Sequence, residues 1–148
     1  MKYLLDTNVV SKLYDRSAEG HRRIGERLAK LGDTDDVAIS ILTVYELEFG
    51  LVNAPVAMRT AVREKIDSAR NAFRALPLFV EGAPVFGELK KALKERRALN
   101  KEAVQRHNVD LLLAATCVVD ERVLVSVDAI YGDLQAIEPG LRTENWLA

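Results

Sequence analysis

The chain has 148 residues, near-neutral net charge (−1), 49% hydrophobic and 29% charged residues, and one cysteine. That length and balance suit a single folded domain over residues 1–148 with one substantial core, and exclude a disordered or low-complexity chain. A lone cysteine excludes an intrachain disulfide and a cysteine-based zinc site. The short, charge-interrupted apolar runs exclude a membrane-spanning helix.

Lys2–Leu5 is apolar enough for a buried first strand, and Asp6-Thr7-Asn8 is a cluster that commonly opens a helix. Val9, Val10, Leu13 and Tyr14 then recur at helical spacing. A second helix is predicted over Glu19–Leu31, followed by a loop at Gly32–Asp36 and a second strand at Val37–Ser40. Thr43 opens a helix that runs to about Val52 and stops at Asn53-Ala54-Pro55. A longer helix is predicted over Val56–Ala75, with Ala61, Val62, Ile66, Ala69 and Phe73 as its apolar stripe. A third strand is predicted at Pro77–Val80, and Pro84 opens a helix to about Ala98. Asn100–Asn108 reads as a polar connection and Val109–Asp120 as a buried helix. Val123–Val127 is a β-branched fourth strand, and Ala136–Glu138 with Leu141–Thr143 gives a short last strand. Cys117 sits in an apolar run and reads as a small core residue. The N-terminal apolar stretch is too short for a signal peptide, and a cytoplasmic protein is expected.

Short strands alternating with longer helices predict a three-layer α/β/α fold around a mostly parallel sheet of four or five strands. In such folds ligands bind outside the carboxyl ends of the strands, where the strand order reverses. Asp6 and Asp128 directly follow strands. Glu46 lies early in the helix after the second strand, and Asp110 opens the helix leading to the fourth. Four carboxylates at one rim repel strongly: two unit charges ~4 Å apart cost about 4 kcal/mol at an effective dielectric near 20. Hard divalent cations take oxygen ligands, so the quartet points to a Mg²⁺ or Mn²⁺ site, and such sites commonly act on phosphates.

Each acid also has a plainer reading. Asp6 could cap the first helix, although Thr7 could do so instead. Thr43-Val44-Tyr45-Glu46 fits a capping box, with Glu46 reaching back to the Thr43 N–H. Glu48 lies roughly 200° from Glu46 around the helix, and spacing alone does not choose between them. Asp110 suits a first helical turn, where negative charge is favoured. Asp128 could be a turn residue, with Asp133 competing. Thr7 and Asn8 could cap a helix or position water, and Ser126 places a hydroxyl two residues before Asp128. His107 lies beside Asn108 and Asp110 and could touch a substrate. No glycine-rich phosphate loop or nucleophile system is present. The charge is uneven: residues 59–106 hold twelve Lys and Arg against six Asp and Glu, a net of +6, so the remainder carries −7. A polyanion could bridge the two regions.

The strand ending in Asp-Thr-Asn, then Ser-Ile-Leu-Thr-Val-Tyr-Glu-Leu-Glu-Phe-Gly, Asp-Leu-Leu-Leu-Ala-Ala-Thr, Leu-Val-Ser-Val-Asp and Gly-Leu-Arg-Thr-Glu-Asn-Trp together resemble a PIN domain. More narrowly they resemble the VapC toxins of toxin–antitoxin pairs, over essentially the whole chain. The resemblance implies that Asp6, Glu46, Asp110 and Asp128 form the catalytic, metal-binding quartet. It selects Glu46 over Glu48. Ser126 stands where threonine is usual, and Tyr131 where phenylalanine is common. It further implies an endoribonuclease using Mg²⁺ or Mn²⁺ on single-stranded RNA, a homodimer, and inhibition by a small VapB-like antitoxin. A nuclease of the same fold outside toxin systems, a non-catalytic binding module and a receiver domain are the alternatives. An intact quartet disfavours the module, the lack of an added RNA-binding domain favours the toxin, and the lack of an acidic pair after the first strand disfavours the receiver.

Overall fold

A computed structural model describes residues 1–148. Its centre is a five-stranded, wholly parallel sheet in the order β3-β2-β1-β4-β5. The strands are β1 (Lys2–Leu5), β2 (Asp36–Ser40), β3 (Arg74–Leu76), β4 (Val123–Val125) and β5 (Arg142–Glu144). The helices are α1 (Thr7–Leu13), α2 (His21–Ala29), α3 (Ile41–Asn53), α4 (Arg59–Ala72), α5 (Gly82–Arg96), α6 (Lys101–Gln105), α7 (Asn108–Val119) and α8 (Ile130–Ile137). A 3₁₀ turn at Val56–Met58 precedes α4. None of these helices is long and apolar enough to cross a membrane.

The period-two alternation of strand side chains separates two apolar layers. Leu4, Ala38 and Leu124 face a cluster built with Leu89 and Leu93 of α5, Leu113 and Cys117 of α7, and Leu134 of α8. Their neighbours Tyr3, Leu5, Ile39, Val123 and Val125 face the opposite cluster, with Val9 and Val10 of α1, Ile24 of α2, Val44 of α3 and Ala69 of α4. Trp146 closes this second layer, its ring edge-on to Tyr3 at 5.3 Å. The expected α/β/α layering is therefore present, and the sheet is entirely parallel.

Several expected boundaries move. The third strand is Arg74–Leu76, not Pro77–Val80. Pro77 has no N–H to give a ladder, and pairing ends before it. The helix expected over Val56–Ala75 accordingly stops at Ala72. The polar connection at residues 100–108 contains α6, capped by the Asn100 side chain, which accepts from Ala103 N at 2.7 Å. Strand β4 ends at Val125 rather than Val127, and Ala136–Glu138 belongs to the end of α8, a helix the sequence pattern did not reveal. Only Arg142–Glu144 forms the last strand.

From β1 the chain steps outward to β2 and β3, then returns to place β4 on the other side of β1. The reversal of strand order thus falls between β1 and β4, and the crevice beyond their carboxyl ends is where this fold class gathers ligands.

Candidate functional site

Asp6 follows the last residue of β1 and caps α1. It is almost completely buried. Its Oδ1 accepts from Thr7 N at 2.8 Å and its Oδ2 from Ser126 Oγ at 2.8 Å. Asp6 N donates to Val125 O at 2.9 Å, which fastens the ends of β1 and β4 together. Ser126 in turn accepts from Asp128 N at 3.0 Å, and Asp128 Oδ1 accepts from Ile130 N at 3.0 Å. One serine hydroxyl therefore orients a buried carboxylate and the start of the turn that carries another.

Glu46 enters from α3. The helix begins at Ile41, with Ser40 Oγ accepting from Leu42 N at 3.1 Å. Thr43 is therefore inside the helix, and the expected capping box is absent. Its N–H lies within the first turn, and its hydroxyl contacts Thr7 Oγ1 at 2.9 Å. The Thr7 hydroxyl donates to Glu46 Oε1 at 2.6 Å. Glu48 points elsewhere and is held by both terminal nitrogens of Arg63.

Asp110 lies in the first turn of α7. The buried Tyr131 donates from its hydroxyl to Asp110 Oδ1 at 3.2 Å, and His107 Nδ1 stands 3.7 Å from Oδ2. Asp133 faces Arg97 at 2.5 Å and Arg96 at 3.5 Å, outside this group.

Asp6, Thr7, Asn8, Glu46 and Asp110 line one cavity of about 200 Å³, with Val109 and Arg106 completing its wall. Asp128 does not line it, yet its charge reaches Asp110. No Lys or Arg forms an ion pair with any of the four acids. Burial raises the Asp6 carboxyl to about 6; the Ser126 and Thr7 hydrogen bonds oppose this, and Asp110 and Glu46 add to it. Asp110 is also raised, by burial first and by Asp128 next, against the hydrogen bond from Tyr131 and the influence of His107.

Uncompensated oxygen donors in a recessed site fit a hard divalent cation. No three His, Cys, Asp or Glu side chains are arranged to hold an ion by themselves. Mg²⁺ commonly keeps several waters and takes only one or two protein carboxylates, so this donor set remains compatible with it.

Sequence reasoning passed over three contributors. Arg106 is the sole cation lining the cavity, and its side chain has no hydrogen bond or ion pair; the clue was its place in the basic middle segment. Thr43 reads in the sequence as a helix cap, yet from inside α3 its hydroxyl meets Thr7. Tyr131 stands in the sequence only as a departure from phenylalanine, although the extra hydroxyl is what reaches Asp110.

The PIN domain profile matches residues 3–135. Among solved structures, VapBC2 from Rickettsia felis, bound to a DNA fragment from its promoter, contains a chain 22% identical, with a TM-score of 0.74 and 99% of each chain covered. A chain of VapBC-1 from nontypeable Haemophilus influenzae is 18% identical, with a TM-score of 0.77 and all of both chains covered. VapBC-5 from Mycobacterium tuberculosis, a member of the VapBC family of toxin–antitoxin systems, gives 18% identity and a TM-score of 0.61, covering 97% of this chain and 96% of the other. At these identities the likeness is one of fold. Among curated proteins, none matches.

Proposed function

This chain belongs to the PIN domain family, and on that premise we propose that it is a Mg²⁺- or Mn²⁺-dependent endoribonuclease acting as the toxin of a toxin–antitoxin pair. One observation carries the reading: Asp6, Glu46 and Asp110 meet in a cavity at the reversal of strand order, with no lysine or arginine paired to them. The whole-chain fold likeness to VapBC structures supports the toxin assignment.

When bound, the ion supplies Lewis-acid stabilisation of charge developing on the phosphate and makes water a better nucleophile. Asp6, Glu46, Asp110 and Asp128 are the residues that would hold it, directly or through water. Ser126 and the Thr7 N–H keep the Asp6 carboxylate in one orientation, while the Thr7 hydroxyl does so for Glu46 and Tyr131 for Asp110. Asn8 stands at the cavity wall, where its amide can meet water or substrate. Arg106, across the cavity from no paired acid, can hold a phosphate oxygen of the RNA. No side chain need form a covalent intermediate.

The same reading gives a small VapB-like antitoxin as partner, an arginine of which would pair with these carboxylates as a bidentate fork, together with a homodimer and a cytoplasmic setting. The test is metal-dependent cleavage of cellular RNA by the purified protein, with cut sites mapped after brief expression with and without a co-expressed small neighbouring gene. Asp6→Asn and Asp110→Asn should abolish cleavage while leaving the circular dichroism spectrum folded. Cleavage that persists in EDTA, or no cleavage of any RNA with Mg²⁺ or Mn²⁺, would sink the proposal.

A further inference from the structure

Thr43 is fully buried in the first turn of α3 and does not line the acidic cavity. Helix propensity does not favour a β-branched residue there, and Ser40 already caps the helix. A valine would fill the same space without bringing a polar group into the interior. The hydroxyl is therefore the part of this side chain that needs a cause.

The hydroxyl of Thr116, within α7, donates back to Leu112 O at 2.8 Å. The Thr43 hydroxyl makes no such bond. Its one partner is Thr7 Oγ1, 2.9 Å away on α1. Thr7 Oγ1 donates to Glu46 Oε1 at 2.6 Å. A hydroxyl carries a single proton, and that of Thr7 is committed to Glu46. The proton in the 2.9 Å contact is therefore that of Thr43. The chain of bonds has one direction, from Thr43 to Thr7 to Glu46.

The two ends of this chain differ in burial. Thr43 is sealed in the core, whereas Glu46 is exposed. They are three residues apart and share one face of α3, and Thr7 reaches both from α1. An exposed glutamate ordinarily samples many rotamers. Here Oε1 is tied through Thr7 to a buried group, and Oε2 has no protein partner.

We propose that Thr43 is a positioning residue of the acidic site: its hydroxyl orients that of Thr7 and, through it, holds the Glu46 carboxylate in one rotamer with Oε2 free for the cavity. Bonds in such a chain polarise one another, so loss of the first weakens the last. The ordering of Glu46 is a property of the protein alone. Its consequence for ion binding rests on the metal-dependent reading above.

The test compares the wild type with Thr43→Val, which keeps the shape and removes the hydroxyl, and Thr43→Ser, which keeps the hydroxyl. Thr7→Val and the double variant complete a cycle. Glu46 χ1 and χ2 populations are read from three-bond side-chain NMR couplings in EDTA, and Mn²⁺ affinity by calorimetry. The wild type and Thr43→Ser should hold one dominant Glu46 rotamer, while Thr43→Val and Thr7→Val average over several. Mn²⁺ affinity should fall roughly 3- to 30-fold in Thr43→Val, the range set by the rotamer freedom of one glutamate, and recover in Thr43→Ser. In a Thr7→Val background Thr43→Val should add nothing, because it acts through Thr7. Thr43→Ala takes its place if Thr43→Val does not fold. A single Glu46 rotamer in the variant lacking the hydroxyl overturns the proposal. So do an averaged Glu46 in the wild type, equal losses in Thr43→Val and Thr43→Ser, or additive losses in the double variant. If the wild type binds no Mn²⁺, the metal-dependent reading fails by itself, and the rotamer series still decides the role of Thr43.

Discussion

Ser126 Oγ donates to Asp6 Oδ2 at 2.8 Å, joining two residues 120 positions apart. The bond is possible because β4 lies beside β1 and both strands end at the same level. It places a polar clamp at the base of the acidic cavity, where Asp6 is nearly cut off from solvent.

Removal of that clamp should be costly. Ser126→Ala takes a donor from Asp6 and an acceptor from Asp128 N. A loss of about 1–3 kcal/mol in urea unfolding is expected at pH 7.5, with cleavage reduced. Ser126→Thr keeps the hydroxyl and should retain most of both. If Ala and Thr behave alike, the hydroxyl is not the operative group.

Asp6 ties stability to pH. Its carboxyl ordinarily titrates near 3.8 and is raised to about 6 in the folded chain. Between those values the folded state binds more protons than the unfolded state, so stability falls as pH rises and the loss is complete above about 6. The gap is worth on the order of 3 kcal/mol. Asp6→Asn cannot ionise and remains a good helix cap. In EDTA it should be more stable than the wild type at pH 7.5, by up to that amount, and indistinguishable near pH 3.5. Mg²⁺ should close the gap by stabilising only the wild type. A variant no more stable at pH 7.5 in EDTA would show that burial of Asp6 carries no such cost.

The two glutamates of α3 should separate cleanly. Glu46→Gln alters a group in the cavity and is expected to reduce cleavage by at least 100-fold (the order associated with losing one electrostatic contact in an active site). Glu48→Gln loosens only the ion pair with Arg63 and should leave cleavage close to wild type. Parallel rate measurements at saturating Mn²⁺ distinguish them, and equal losses would contradict the orientation of α3.

Arg106 should act on binding. Arg106→Ala is expected to raise KM for RNA roughly 10-fold or more, as loss of a charge-assisted hydrogen bond worth about 1.5–3 kcal/mol predicts. The salt dependence of binding should become shallower, since one phosphate contact is gone. An unchanged salt slope would remove Arg106 from the RNA path.

At the opposite end of the sheet, Arg122 is buried among Asp36 Oδ2 at 2.7 Å, Asp120 Oδ2 at 2.6 Å and Tyr3 O at 3.1 Å. Arg122→Met should destabilise by about 2–3 kcal/mol, below the roughly 3–5 typical of a fully buried pair, because both carboxylates reach solvent. Burial raises the Asp120 carboxyl, but hydrogen bonds from Arg122 and Lys2 outweigh it and hold it below its ordinary range. That contribution is present above about pH 4 and is lost as pH falls through the lowered value. The variant should therefore lose part of the wild type's sensitivity to acid while keeping RNA cleavage; lost cleavage in a folded variant would tie this cluster to the site.

Local pattern carried much of the architecture. The runs at residues 2–5 and 123–125 and the apolar stretch of α7 announce themselves because strand alternation and helix burial are written over a few adjacent residues. Helix α8 is not announced: Asp128 reads as a turn residue and Asp133 as a competing acid, and only packing of Ile130, Tyr131 and Leu134 into the core makes that segment a helix. The capping box at Thr43 failed for a related reason. Ser40 offered an earlier cap, and Thr7 from another element offered Glu46 a better partner.

By itself the sequence determined the α/β alternation and placed Asp6 and Asp128 just beyond strands, since both follow from residues near one another along the chain. Only the tertiary structure decided that β4 lies against β1, that Ser126 grips Asp6, that Glu46 turns toward Thr7 while Glu48 turns to Arg63, and that Arg106 shares their cavity. Those outcomes depend on the order in which strands pair and on which partners then compete for each polar group, and neither is encoded in local spacing.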